Sequence, residues 1–175
     1  GGGELLDEFY EVFSRNMRDL GTPVYGKSFF SAVLRAYGEN CAIVLVKLNG
    51  KPVSSGFLLG YKERMEIPWA STVREANKHS VNMLLYWEAL CFAIKKGYKK
   101  FDFGRSTIGE GTYRFKKQWG AKPFPCYWHY WLDKEGELPE LNPKNPKFAL
   151  LVSIWKRLPL FISRALGPAI VKNLP

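Results

Sequence analysis

Acid–base chemistry in this chain rests on a few side chains set among apolar ones. Asp102 stands in Lys99-Lys100-Phe101-Asp102-Phe103, and strand alternation puts its carboxylate on the face opposite both rings. There it either orients or deprotonates an amine, or it pairs with Arg105 or Arg114. His79 lies just before an apolar helical run that begins at Val81. A helix start disfavours the imidazolium, which suits a neutral base, and a surface or capping histidine is the simpler account. His129, in an aromatic run, reads as a packing residue. Two histidines this far apart give no zinc spacing, so no metal is expected. Lys116, on the flank of a short helix, either holds a phosphate or developing negative charge or is an ordinary exposed lysine. Trp69 and Ser71 alternate on one strand and either line a pocket wall or pack in the core.

The elements that must carry these groups follow from periodicity. Apolar residues at Leu5, Phe9, Val12, Phe13, Met17 and Leu20 predict a helix over 4–20 that Gly21 ends and Pro23 keeps from resuming. A second helix follows, with Ser28 as N-cap and Gly38 after its end. Asn49-Gly50 predicts a tight hairpin between strands 42–48 and 53–61, with Pro52 outside the central ladder. A third strand over 66–73 completes an antiparallel meander. The run 81–96 is apolar around its whole circumference and predicts a well-covered helix. The strand 99–103 follows at once, as in a parallel crossover. A short helix over 112–119 puts Phe115 and Trp119 on its inner face, and an aromatic strand is expected over 127–132.

The 175 residues fit one domain, and 46% apolar content supplies a core. The net charge of +10 is concentrated. Residues 95–122 carry nine Lys/Arg against two acids, and residues 141–175 carry six against none. Such placement points to a polyanionic partner, or to a solvated basic face. Residues 1–3 read as a flexible leader, 4–132 as the domain, 133–146 as a linker and 147–175 as a basic amphipathic helical segment broken at Pro159. That segment suits the surface of an anionic membrane. No apolar run of about 18 residues predicts a transmembrane helix, and the first residues do not resemble a signal peptide. Cys41, Cys91 and Cys126 read as buried free thiols.

Three segments sharpen this pattern: Asn82 with Leu85-Tyr86-Trp87-Glu88; Gly97 to Thr107, including Phe103-Gly104-Arg105-Ser106; and Gly111-Thr112-Tyr113-Arg114-Phe115-Lys116-Lys117-Gln118-Trp119-Gly120. Together with Asn16 to Pro23 they resemble the C-terminal domain of FemAB-like proteins, the methicillin-resistance-protein type, over about residues 4–131. The resemblance implies an α+β fold of the Gcn5-related N-acetyltransferase (GNAT) kind, with a mixed sheet flanked by helices. It implies aminoacyl or acyl transfer to an amine of a lipid-linked cell-envelope precursor, with aminoacyl-tRNA as donor and no tightly bound cofactor. A related domain would precede this one in the parent protein. The site would lie at the cytoplasmic face of the membrane, with tRNA and lipid precursor as partners. Lys116 matches the family's Phe-Lys lysine, and Tyr113 stands where GNAT enzymes place an acid for the leaving group. Asn82, Arg105, Ser106 and Arg114 fall within the matching motifs as substrate-binding residues. Acetyl-CoA as donor is the alternative, as is a non-catalytic half that binds only the acceptor. GNAT enzymes that use acetyl-CoA hold its pyrophosphate on a glycine-rich turn, whereas residues 73–82 here contain no glycine.

Overall fold

The computed structural model describes residues 1–127, 129–132 and 146–173; of residues 146–148 it describes the backbone alone. Helix α1 (Leu6–Leu20) ends at Gly21 in the left-handed conformation, φ 81°, as the glycine signal predicts. Helix α2 (Lys27–Tyr37) is preceded by Gly26 as N-cap, so Ser28 lies one residue inside the helix instead of capping it. Residues 1–3, expected as a leader, are tied down. Gly1 donates to the Ile43 carbonyl at 3.0 Å and accepts from the Ile43 N–H at 2.9 Å.

Strands β1 (Cys41–Leu48), β2 (Lys51–Tyr61) and β3 (Arg64–Thr72) form the antiparallel meander. Asn49 and Gly50 both take positive φ, 52° and 76°, the geometry a two-residue turn demands. Pro52 is taken into β2 beside a register irregularity at Val46/Lys47. Helix α3 (Val81–Lys95) crosses back, and β4 (Lys100–Asp102) pairs with β3 in parallel, giving the sheet order β1-β2-β3-β4. Helix α4 (Gly111–Gln118) follows.

Each face of the sheet has its own core. On one, Phe9 and Phe13 of α1 and Phe30 of α2 pack on Phe57, with ring centroids 5.0–5.5 Å apart. Full burial of such a ring is worth roughly 1.5–3 kcal/mol. On the other face, Ala89 and Ala93 bring α3 close against Leu58 and Ile67. The small side chains set how near the helix approaches.

The covered helix expected at 81–96 is covered on one side only. Leu84, Trp87 and Ile94 remain exposed, with Cys91 between them. Cys41 is buried and its thiol is pushed up to about 11, whereas Cys91 and Cys126 are exposed, against the expectation for both. The last predicted strand is also absent among the described residues. Residues 127 and 129–132 have no strand partner, and Trp131 is 91% exposed. Trp128 and the linker 133–145 lie outside the described residues.

Helices α5 (Pro146–Arg157) and α6 (Leu160–Val171) meet at Pro159. They pack on the outer side of α1. The Trp155 indole N–H donates to the Thr22 carbonyl at 3.1 Å, and Arg164 Nε donates to Ser14 Oγ at 2.9 Å. The layers therefore run α3, sheet, α1 with α2, then α5 with α6.

Candidate active site

The site is built at the place where β3 and β4 part. Their parallel ladder is three residues long: Arg64, Met65 and Glu66 stand beside Lys100, Phe101 and Asp102. Beyond Glu66, β3 runs on to Thr72 while the other chain turns away at Phe103 and Gly104. Among the described residues, main-chain groups on that side of β3 are left without a strand neighbour.

A bulge lies at this fork. Phe57 pairs with Trp69 and Leu59 with Glu66, so Ile67 and Pro68 together stand opposite Leu58. Proline in a strand belongs at such a position because it has no N–H to give the ladder. The extra residue switches alternation. Ile67 goes to the α3 face, yet Glu66, Trp69 and Ser71 all lie on the α1/α2 face, as do their partners Leu59, Phe57 and Ser55. Asp102 shares that face through its register with Glu66.

Two carboxylates thus stand side by side at the fork. Glu66 is half-buried and forms no hydrogen bond or ion pair among the described residues. Desolvation raises its pKa first, the neighbouring Asp102 raises it further, and Arg64 opposes both. Asp102 accepts from the Gly104 N–H at 2.8 Å and meets Arg64 at 3.4 Å. Gly104 has φ 71°, so the turn that takes the chain away from β3 needs its missing side chain.

Lys116 holds that turn from the other side. Its ammonium donates to the carbonyls of Gly104 and Arg105 at 3.0 and 2.9 Å. Desolvation lowers its pKa, and Asp102 works against this. An aromatic chain sets the height of α4. Phe103 stacks on Tyr86 of α3 at 5.7 Å, Tyr86 meets Phe115 at 5.0 Å, and Phe115 meets Trp119 at 6.4 Å. The Ser106 hydroxyl and the Trp119 indole N–H, one on the turn and one at the end of α4, are buried without partners among the described residues.

The remaining sequence-predicted residues disperse. Trp69 sits edge-on to Phe29, Phe30 and Phe57, at 5.2–5.6 Å, and half-closes the α1/α2 core. Ser71 is buried, and its hydroxyl accepts from Asn16 at 3.1 Å. Tyr113 is half-buried, with the Lys117 ammonium 5.9 Å from its ring centre. Arg105 and Arg114 are exposed, and Asn82 is half-buried in the first turn of α3. His79 is exposed at the end of a 3-10 turn, Arg74–His79, that follows the end of β3.

The structure adds Glu66, Arg64 and the bulge, which sequence reasoning passed over. The signal was present in Met65-Glu66-Ile67-Pro68-Trp69. A proline inside an apolar run marks a bulge, and here the bulge puts Ile67 on the face opposite Trp69 and Ser71.

Three antiparallel strands, a crossover helix, a short parallel strand and a fork between them define the GNAT class of acyltransferase folds. The chain belongs to that family: the acetyltransferase (GNAT) domain matches residues 2–117. No curated protein matches the sequence. Among solved structures, an aminoglycoside acetyltransferase from an uncultured soil metagenomic sample, in complex with sisomicin, has a TM-score of 0.60 at 12% identity over 76% of this chain and 93% of its own. The ribosomal-protein-alanine N-acetyltransferase of Brucella melitensis biovar Abortus 2308 gives 0.58 at 10% identity, over 75% and 96%. AAC(6')-Iy bound to the bisubstrate analogue CoA-S-monomethyl-acetylneamine gives 0.59 at 10% identity, over 76% and 95%. At these identities the likeness is one of fold.

Proposed function

We propose that this domain is an N-acyltransferase of the FemAB-like kind, which moves an aminoacyl group from tRNA to an amine on a lipid-linked envelope precursor. The observation that carries the transfer reading is the fork, with half-buried Glu66 beside the free edge of β3. An acyl donor laid along that edge would meet main-chain N–H groups, which stabilise the oxyanion of a tetrahedral intermediate. Glu66, raised by burial, is suited to accept the proton of the attacking amine. Asp102 and Lys116 are positioning residues in this scheme. One folds the turn through Gly104, and the other clamps its carbonyls. Tyr113, Arg105, Ser106, Arg114 and Asn82 are assigned to the donor or leaving group by their place in the matching motifs. Nothing places His79 near the transfer, and we give it no role.

The tRNA donor is supported by the turn before α3. Residues 74–79 form a 3-10 turn with Ala76 packed in the core, and no glycine offers bare backbone to a pyrophosphate. Acetyl-CoA is the second reading, and one comparison favours it: AAC(6')-Iy, of similar fold, was solved with a CoA-derived bisubstrate.

Two measurements separate the readings. Titration calorimetry with acetyl-CoA is expected to show no heat of binding, and saturable binding would transfer the assignment to acetyl-CoA. Transfer from aminoacyl-tRNA to a lipid-linked amine, assayed with the parent protein, is expected to fall with Glu66→Gln. Unchanged transfer would make this domain the acceptor-binding half.

A further inference from the structure

We infer that the α5–α6 hairpin docks the domain on an anionic lipid surface, with the α1 side of the sheet turned toward the lipid. The hairpin has two unlike faces. Its inner face is fixed to α1 and its neighbours by Trp155, Ser163 and Gly167, all buried. A Cβ on Gly167 would lie 2.8 Å from the Val24 backbone, so α6 sits directly against the chain after α1 at this position. The outer face is apolar, and among the described residues nothing covers it. Phe161 is 71% exposed and Leu150 70%, and Leu151, Ile154, Leu166 and Ile170 accompany them. On α6, Phe161, Ala165 and Ala169 occupy the arc opposite Ser163 and Gly167, with Leu166 and Ile170 at its edge.

Charge selects the occupant. Lys156, Arg157 and Lys172 are exposed on the hairpin, and residues 141–175 contain no Asp or Glu. A second copy would set these cations against their own kind. A surface that is apolar within and negative at its boundary complements both properties, as an anionic bilayer does. Arg164 is not part of this set, because it is spent on Ser14 and on the Tyr10 ring, 5.5 Å away. Among the described residues no helix is long and apolar enough to cross a membrane, so the hairpin would lie on the surface.

Docking in this way has a consequence for direction. The hairpin covers α1, and α1 covers the sheet face that carries Glu66 and Asp102. The carboxylates then lie on the lipid side of the sheet, and the turn before α3 touches the same helix, Glu75 meeting Arg15 of α1 at 2.7 Å. A lipid-linked acceptor would reach the fork from that side. This last step rests on the transfer reading, but the docking does not.

Flotation of the full chain tests the docking. The probes are vesicles of phosphatidylcholine alone and vesicles with one third phosphatidylglycerol. Wild type should float with the second and stay behind with the first. Leu150→Glu with Phe161→Glu should lose binding tenfold or more, because two buried apolar contacts become charges that the lipid repels. Lys156→Glu with Arg157→Glu should weaken it by about fivefold or more for each cation reversed. All four positions are exposed, so melting temperatures should hold, which separates lost docking from lost fold. The proposal is overturned if wild type ignores anionic vesicles, if either variant floats like wild type, or if sedimentation shows a dimer that the Phe161 variant dissolves. Transfer to a soluble amine, measured on the same variants, should be unchanged, so a failure of docking stays distinct from a failure of the transfer reading.

Discussion

The fork between β3 and β4 and the crevice between α1 and α6 are both polar clefts, and their charges are arranged in opposite ways. The crevice has a volume of about 310 Å³ and is lined by Asp7, Tyr10, Glu11, Lys27, Leu160 and Arg164. Its charges are paired or left in water: Lys27 meets Asp7 at 2.8 Å, Arg164 is held by Ser14 and Tyr10, and Glu11, with no ion pair among the described residues, is exposed. At the fork, Glu66 and Asp102 are neighbours of like charge, and Glu66 forms no pair among the described residues. A cleft whose charges satisfy one another is structure. One that holds a carboxyl group out of water, beside another carboxylate, retains free energy that a substrate can release.

The sharpest way to break this contrast is to neutralise one acid in each place. Glu66→Gln should lower turnover by roughly 10²–10⁴-fold, the range for loss of a general base. Asp7→Asn should leave turnover unchanged. Steady-state rates with one donor and one amine decide it, and an equal loss from both variants would erase the distinction.

Gly167→Ala tests the crevice as architecture. The new methyl would press on Val24 main-chain atoms, so α6 must shift, at a cost of about 1–3 kcal/mol. The melting temperature should fall while the turnover of the folded protein stays. A loss of turnover greater than the loss of folded protein would make the crevice part of the site.

Lys116→Met sharpens the other side. It leaves the Gly104 and Arg105 carbonyls without their shared donor, which costs roughly 1–3 kcal/mol where such groups stay buried. Because the turn sets where β4 leaves β3, KM for the donor should rise along with the loss of stability. Lys116→Arg should recover part of both, since a guanidinium still donates. If Lys116→Met reduced turnover at saturating donor and left stability and KM alone, the lysine would be a group in the reaction instead of a clamp.

The sheet was legible because its signals are local. Asn49-Gly50 forces a hairpin, and the alternation of Phe101-Asp102-Phe103 puts Asp102 on its face without any tertiary knowledge. The fork was legible only as an expectation of fold, since no residue in β3 announces that its neighbour will leave after three positions. Glu66 was missed because its importance comes from register. A bulge at Ile67 and Pro68 puts it on the same face as Trp69, three positions away instead of two. Lys116 carried the right charge, but the carbonyls it binds are eleven and twelve residues earlier, a distance that periodicity does not encode. The aromatic run at 127–132 misled because strand propensity needs a neighbouring strand to be satisfied, and among the described residues it has none.

The smallest expected effect distinguishes the two clefts by titration. Glu66 holds its proton more tightly in the folded chain than in the unfolded one. Where the two states differ, the native state binds more protons, so stability falls as pH rises through that interval, from the ordinary carboxyl value of 4.5 to the raised one. Below the interval the group makes no demand, and above it the cost of a half-buried ionised carboxylate is present in full. Glu66→Gln should therefore flatten this part of the stability curve and leave the variant more stable than wild type at neutral pH. The transfer rate of wild type should rise over the same interval, because only the ionised form accepts a proton. Thermal melts from pH 4 upward, run beside the rates, would show stability and activity moving in opposite directions if one carboxyl governs both. Parallel movement would mean that another group titrates, and Glu66 would lose its claim to be the base.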